Sequence, residues 1–268
     1  MRDTATVNGV NLVYDDIGPR DTPAVLLVHG YPLNRTMWRM QRVPLVDLGW
    51  RVIIPDLRGF GESEATPPPY DMDLFADDLA ALLDHLGLGK AALVGLSMGG
   101  YIAFAFWRRH AARVSALVLA DTQAAPDTAE ARAARLKAAD EVRAGRREAV
   151  VDGMLPRLIG SATQADNPTL VAEVRQMMFA TPTDGMLGAL AALADRPDST
   201  PILGTIDVPT LVVCGADDAI TPPAVHETLR DGIAGSSLVV IADAGHMAPL
   251  EAPDAFNAAL REFLAREA

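Results

Sequence analysis

Apolar runs of strand length, alternating with helix-spaced segments, predict an α/β chain built on a doubly wound, mostly parallel sheet of eight strands. Three observations carry this. The runs at 24–28, 51–54, 91–94, 116–120, 210–214 and 237–241 are largely apolar, as strands covered on both faces are; a hairpin at 4–16 brings the number of strands to eight. Between the runs, apolar residues fall at helical spacing, as at Leu74, Phe75, Leu79, Leu82, Leu83 and Leu86. From 122 to 201 the β-like runs vanish and alanine and arginine rise, so this stretch reads as a helical insertion. The expected division is a core made of 1–121 and 202–268, with 122–201 as a helical cap.

In chain order, Asn8-Gly9 is the two-residue turn of the opening hairpin. The strand at 24–28 runs into His29-Gly30-Tyr31-Pro32, and a helix is expected over 37–48. After the strand at 51–54 comes the turn-rich Pro55-Asp56-Leu57-Arg58-Gly59-Phe60-Gly61-Glu62-Ser63. The helix over 74–86 leads to the strand at 91–94, and a further helix runs from Met98 to about Arg109. The insertion divides into four helical pieces, near 128–144, 146–159, 168–180 and 183–195, broken at Gly145, Gly160, Pro168 and Pro182. Beyond the strand at 210–214, Thr221 suits a helix N-cap and Pro222 the first helical position. A last strand runs into Ala244-Gly245-His246-Met247, and an amphipathic helix over 253–266 closes the chain.

Composition narrows the function. Over 268 residues the net charge is −12, which disfavours nucleic acid and anionic membrane surfaces as partners. The single cysteine, Cys214, excludes an internal disulfide framework and a cysteine-rich metal site. The first residues lack a basic and then apolar leader, and no apolar run approaches the roughly 20 residues that span a bilayer. The expectation is a soluble, cytoplasmic protein acting on a small molecule, without metal or cofactor.

Gly95-Leu96-Ser97-Met98-Gly99 fits G-x-S-x-G, a sharp strand-to-helix turn that holds a serine oxygen clear of the backbone. A serine hydroxyl needs a base, and the base needs an orienting carboxylate. Both must come from loops at the carboxyl ends of strands, where ligands sit in such sheets. The chain supplies them in the order serine, acid, histidine: Ser97, then Asp217-Asp218, then His246. Neighbouring residues in an extended loop point opposite ways, so only one of the two aspartates can reach the imidazole.

With these residues the chain resembles an α/β-hydrolase with a helical cap, over essentially its whole length. The likeness rests on His29-Gly30-Tyr31-Pro32, the 56–63 turn, the elbow, Gly215-Ala216-Asp217-Asp218 and Gly245-His246. The resemblance implies Asp218, three residues after Gly215, as the acid, Ser97 as nucleophile and His246 as base. It implies an oxyanion hole formed by the backbone N–H groups of Tyr31 and Met98, and a structural role for His29. His85, His110 and His226 read as surface or packing residues, and Asp56, Arg58 and Glu251 as loop-holding groups. Cys214 reads as core, and the charges of 128–148 as solvated helix faces. Met154, Met177, Met178, Phe179 and Met186 are candidates either for a pocket under the cap or for packing inside it.

Serine at the elbow separates the chain from relatives that use aspartate or cysteine there. The insertion, which has no Tyr, Trp or His, cannot supply the cap tyrosines of epoxide hydrolases. The pattern is similar to 3-oxoadipate enol-lactonase-like proteins and to esterases opening acyl-homoserine lactones, implying a carboxylesterase or lactonase. Cofactor-free perhydrolases of the haloperoxidase type and carbon–carbon bond hydrolases share the elbow chemistry. A ligand receptor on the same fold is the reading from another class, and it has no need to keep all three side chains.

Overall fold

The computed structural model describes residues 1–267. The hairpin pairs β1 (Arg2–Val7) with β2 (Val10–Ile17), and Asn8 and Gly9 both take the positive φ that a tight hairpin turn requires. There follow β3 (Ala24–Val28), α1 (Arg42–Asp47), β4 (Arg51–Pro55), α2 (Met72–His85), β5 (Ala91–Leu96), α3 (Met98–His110) and β6 (Val114–Ala120). The expected helix over 37–48 is broken. Asn34 accepts from the Thr36 N–H to start a short 3-10 turn at Arg35–Trp38, and α1 begins only at Arg42. Pro44 explains the break: it fits the first turn of a helix, but further in it would lose a hydrogen bond and clash one turn back.

Between β6 and β7 lie α4 (Ala129–Arg143), α5 (Arg147–Leu158), α6 (Ser161–Asp166), α7 (Pro168–Phe179) and α8 (Thr183–Ala194). That is five helices where four were expected. The additional one, α6, is short and lacks a buried face, so no apolar period announced it. The chain closes with β7 (Thr210–Gly215), α9 (Pro223–Gly232), β8 (Ser237–Ile241), α10 (Ala248–Glu251) and α11 (Pro253–Leu264).

The eight strands lie in the order β1-β2-β4-β3-β5-β6-β7-β8, antiparallel at the β1–β2 and β2–β4 pairs and parallel elsewhere. Every residue of β3, β4, β5 and β7 is buried, which is why their sequences run apolar rather than alternating, save Arg51 and Thr210 at the strand starts. The winding changes direction at β3, which has β4 on one side and β5 on the other. In open α/β sheets the crevice for a ligand opens at such a switch, beyond the carboxyl ends of the strands. Here those ends deliver His29-Gly30-Tyr31 and the elbow.

The helices between β6 and β7 sit directly on the core. A Cβ at Gly185 of α8 would lie 1.7 Å from the Gly59 carbonyl oxygen, so helix and loop meet backbone to backbone. Nearby, the Thr181 hydroxyl donates to the Pro32 carbonyl at 2.9 Å. Among the described residues no single helix is long and apolar enough to cross a membrane. The pair α7–α8 matches a span only in length and composition; it is bent by 92°, and α8 is largely buried.

Candidate active site

β5 ends at Leu96 and α3 begins at Met98, so the chain must reverse within one residue. Ser97 takes that turn at φ 53°, ψ −113°, a strained conformation for a residue with a side chain. It persists because its surroundings hold it: the Ser97 N–H donates to the Ala120 carbonyl at 2.9 Å, and its own carbonyl accepts from Gly100 N–H and the Thr122 hydroxyl. Close crossing of strand and helix is possible only because hydrogen replaces a side chain at two positions. A Cβ at Gly95 would come 2.3 Å from the Gly99 carbonyl oxygen, and one at Gly99 would come 2.3 Å from that of Val28.

The ring of His246, buried in the loop after β8, donates through Nδ1 to Asp218 Oδ2 at 2.7 Å. That bond leaves Nε2 as the nitrogen free to accept a proton. Asp218 lies in the loop after β7 and is itself anchored: Oδ1 accepts from the Ile220 and Thr221 N–H groups at 2.8 and 3.0 Å, and Oδ2 accepts from the Thr221 hydroxyl at 2.7 Å. Burial alone would raise its pKa, but the charge and hydrogen bond of His246, with the Thr221 bonds, outweigh burial and hold it at about 2. Asp217 is exposed, and the structure gives it no contact with His246. Thr221 is not the helix cap expected of it. The residue before α9 is Pro222, without a side-chain cap, and the Thr221 hydroxyl is committed to Asp218.

Ser97, Tyr31, Met98 and His246 line one cavity of about 710 Å³. Among the described residues Ser97 Oγ is not hydrogen-bonded to the His246 ring, and neither the Tyr31 nor the Met98 N–H donates to a protein acceptor. The Met98 N–H heads a 13-residue helix, where the peptide dipoles favour negative charge. His29 cannot compete as a base, because Nδ1 donates to the Gly30 carbonyl at 2.9 Å and Nε2 accepts from the Leu57 N–H at 3.0 Å. His226 is similarly engaged, accepting from Thr122 N–H at 3.0 Å, and burial pushes its pKa down to about 4. Burial also pushes the Cys214 thiol up to about 12, which leaves it inert.

Asp121, at the end of β6, was not singled out by the sequence for any role. It sits at φ 45°, fully buried, with Oδ1 accepting from the Gly215 N–H at 2.9 Å and Oδ2 unpartnered among the described residues. Asp121, Asp218 and His246 each offer a donor atom within 4.8 Å of the others. A metal ion there would have to displace the bond that already joins Asp218 Oδ2 to His246 Nδ1. Burial, and then the Asp218 charge, push the Asp121 carboxyl well above the usual carboxylate range, since two such neighbours cannot both ionise. With its folded pKa raised, the native state keeps a proton that the unfolded chain loses near pH 4. Stability therefore falls as pH rises from there towards the raised folded value. Asp121→Asn removes this titration while keeping an acceptor for Gly215. Its melting temperature should match the wild type's below pH 4 and exceed it by about 3 °C or more at pH 8. Parallel curves across that range would show that Asp121 is ionised in the native state.

Only one of the named candidate pocket residues on the inserted helices, Met154, lines the cavity. Met178 and Met186 are fully buried and Met177 nearly so, all within the helical layer, while Phe179 lies under the Arg147 guanidinium, 4.6 Å from its ring centre. None of the four belongs to the lining of the cavity that Ser97 faces, and Phe179 is 38% exposed. Instead α4 lines the cavity with Ala131, Ala134, Arg135 and Ala138, so the charges of that helix are not all solvated. Asp56 and Arg58 hold loops, through ion pairs with Arg35 and with Asp78. Glu251 does so as well: its carboxylate accepts from the N–H groups of Gly160, Gly245 and Met247 at 2.8, 3.1 and 3.0 Å.

Comparison with known proteins agrees with this architecture. A thermophilic esterase from Thermogutta terrifontis, solved with malate bound, superimposes with a TM-score of 0.95 at 44% identity, covering 99% of this chain and 98% of that one. The enol-lactonase from Burkholderia xenovorans LB400 gives 0.91 at 32% identity, covering 98% and 99%. In sequence, 3-oxoadipate enol-lactonase 2 of Acinetobacter baylyi is 31% identical over 273 residues, covering 99% of this chain and 97% of that protein. The model of the alpha/beta hydrolase fold matches residues 23–253, and the chain belongs to that family.

Proposed function

We propose that this protein hydrolyses small to medium carboxylic esters or lactones through an acyl-enzyme on Ser97. The observation that carries the reading is the buried Asp218–His246 pair, which presents one free imidazole nitrogen to the cavity that Ser97 also faces. In this reading Ser97 Oγ attacks the substrate carbonyl as His246 Nε2 takes its proton, and the imidazolium returns that proton to the leaving oxygen. Water then attacks the acyl-serine by the same exchange, releasing the acid. Charge on the carbonyl oxygen in each tetrahedral stage is met by the N–H groups of Met98 and Tyr31, each of the kind whose loss costs about 10²–10³ in rate. The Ser97–His246 bond closes on substrate binding, as such bonds commonly tighten in the Michaelis complex. Residues 122–201 act as a cap that gives the cavity its shape, while the reacting groups come from 1–121 and 202–268.

The test is burst kinetics with p-nitrophenyl acetate and butyrate, followed by a panel of esters and lactones graded by acyl length. The lactones, acyl-homoserine lactones among them, are followed by pH-stat. A burst of nitrophenol equal to the enzyme, followed by steady turnover, is the expected result. Absence of turnover with every ester and lactone would favour a receptor on a hydrolase fold.

A further inference from the structure

We infer that the substrate carries an anionic group, a carboxylate or its chemical equivalent, which Arg135 binds on the wall of the cavity that α4 supplies. The inference rests on the esterase reading above and names its substrate class. Its basis is a surplus of positive charge at the cavity of a chain whose net charge is −12. Asp127 serves two arginines: Arg196, which is buried, and Arg135, whose Nε donates to Asp127 Oδ2 at 3.3 Å. Arg196 is spent further, on the Leu193 and Ala125 carbonyls and over the Tyr101 ring at 4.3 Å. One carboxylate between two guanidinium groups leaves one positive charge uncompensated. The two terminal nitrogens of Arg135 make no hydrogen bond among the described residues. They form the planar fork that matches a carboxylate with two parallel hydrogen bonds.

A second observation points to a polar ligand in the same cavity. Tyr31, only 4% exposed, also lines this cavity, and its buried hydroxyl has no partner among the described residues. A buried hydroxyl left unpaired is costly, and a polar ligand in the cavity would satisfy it. The helix itself makes the room: Ala131, Ala134 and Ala138 flank Arg135 on the lining face of α4. Lys137 and Arg157, also in the lining, are exposed and make no ion pair among the described residues, while Glu141, the other acid of the lining, is paired with Arg146, so the lining keeps an attractive field that the overall charge opposes.

The experiment compares kcat/KM for the monomethyl esters of succinate, adipate and suberate with the uncharged methyl butanoate, hexanoate and octanoate. 4-Acetoxybutanoate against butyl acetate places the anion on the alcohol side instead. The wild type should prefer the charged ester by tenfold or more in at least one matched pair, and the side on which that pair carries its anion tells which half of the substrate holds it. Arg135→Gln should cut the charged-to-uncharged ratio about 10- to 100-fold, mainly through KM, as loss of a charge-assisted pair does. Arg135→Lys should fall between, and 0.5 M NaCl should erode the preference. Arg132→Gln, at the exposed pair with Asp195, should leave the ratio unchanged. A ratio at or below one in every pair, or one that Arg135→Gln does not move, would overturn the inference while the esterase reading stood. If no ester is hydrolysed, that reading falls, and calorimetry of monomethyl adipate with Ser97→Ala decides the anion site alone. Heat lost on adding Arg135→Gln supports it; no binding, or binding that Arg135→Gln does not weaken, overturns it.

Discussion

Ser97→Ala is expected to abolish ester turnover, with a fall in kcat of about 10⁶-fold and no burst of nitrophenol. Loss of a serine nucleophile has an effect of that order because serine, base and acid act as one unit. What remains is about 10³–10⁴ over water, from oxyanion donors and binding alone. The alanine fits: Ser97 sits at a backbone turn held by Ala120, Gly100 and Thr122, and those bonds to its main chain survive the substitution. Melting temperature should therefore change little, which separates a chemical loss from a folding one. Mass spectrometry supplies the direct readout, since an organophosphonate should add once to the wild type and not at all to Ser97→Ala. Labelling of the variant, or undiminished turnover by it, would place the nucleophile elsewhere.

The second large effect belongs to the acid. Asp218→Asn should lower kcat on the order of 10⁴-fold, while Asp217→Asn should change it by less than about twofold. The reason is positional. Asp218 is buried, takes up Nδ1–H of His246, and is held by two backbone N–H groups and a threonine hydroxyl. An amide in its place preserves size but not charge, and its NH₂ face can turn the imidazole into the wrong tautomer. At Asp217 the main chain does the work, its N–H donating to the Ala244 carbonyl at 2.9 Å while the carboxylate meets solvent. The opposite ranking of the two variants would transfer the role to Asp217.

The strands and the elbow were legible because their signals are local. Complete burial writes itself into β3, β5 and β7 as unbroken apolar runs, and two hydrogens at Gly95 and Gly99 are a steric necessity visible in five residues. Asp218 was separated from Asp217 only by the family resemblance, which counts three residues from Gly215; its bond to His246 is what the structure adds. The cavity lining was not legible. Met178 and Met154 are alike as residues, and only the packing of α7 against α5 decides that one is enclosed and the other faces the cavity. Arg135 looked like any arginine on a charged helix, since a solvated face and a cavity wall carry the same 3.6-residue spacing. Asp121 gained its role from a contact with Gly215 made through the fold, and Thr221 from a local one with Asp218 that its likeness to a helix cap concealed.

Glu251 joins two parts that the chain order keeps far apart. One carboxylate holds the N–H of Gly160, between α5 and α6, together with those of Gly245 and Met247 on either side of His246. Raising α5 and α6 to admit a bulky molecule therefore tugs on the peptide units that aim the imidazole. Access to the chamber and the setting of the His246 ring are thus geared to one another, and α4–α8 transplanted from a relative will run smoothly only if they bring a backbone N–H to meet that same carboxylate.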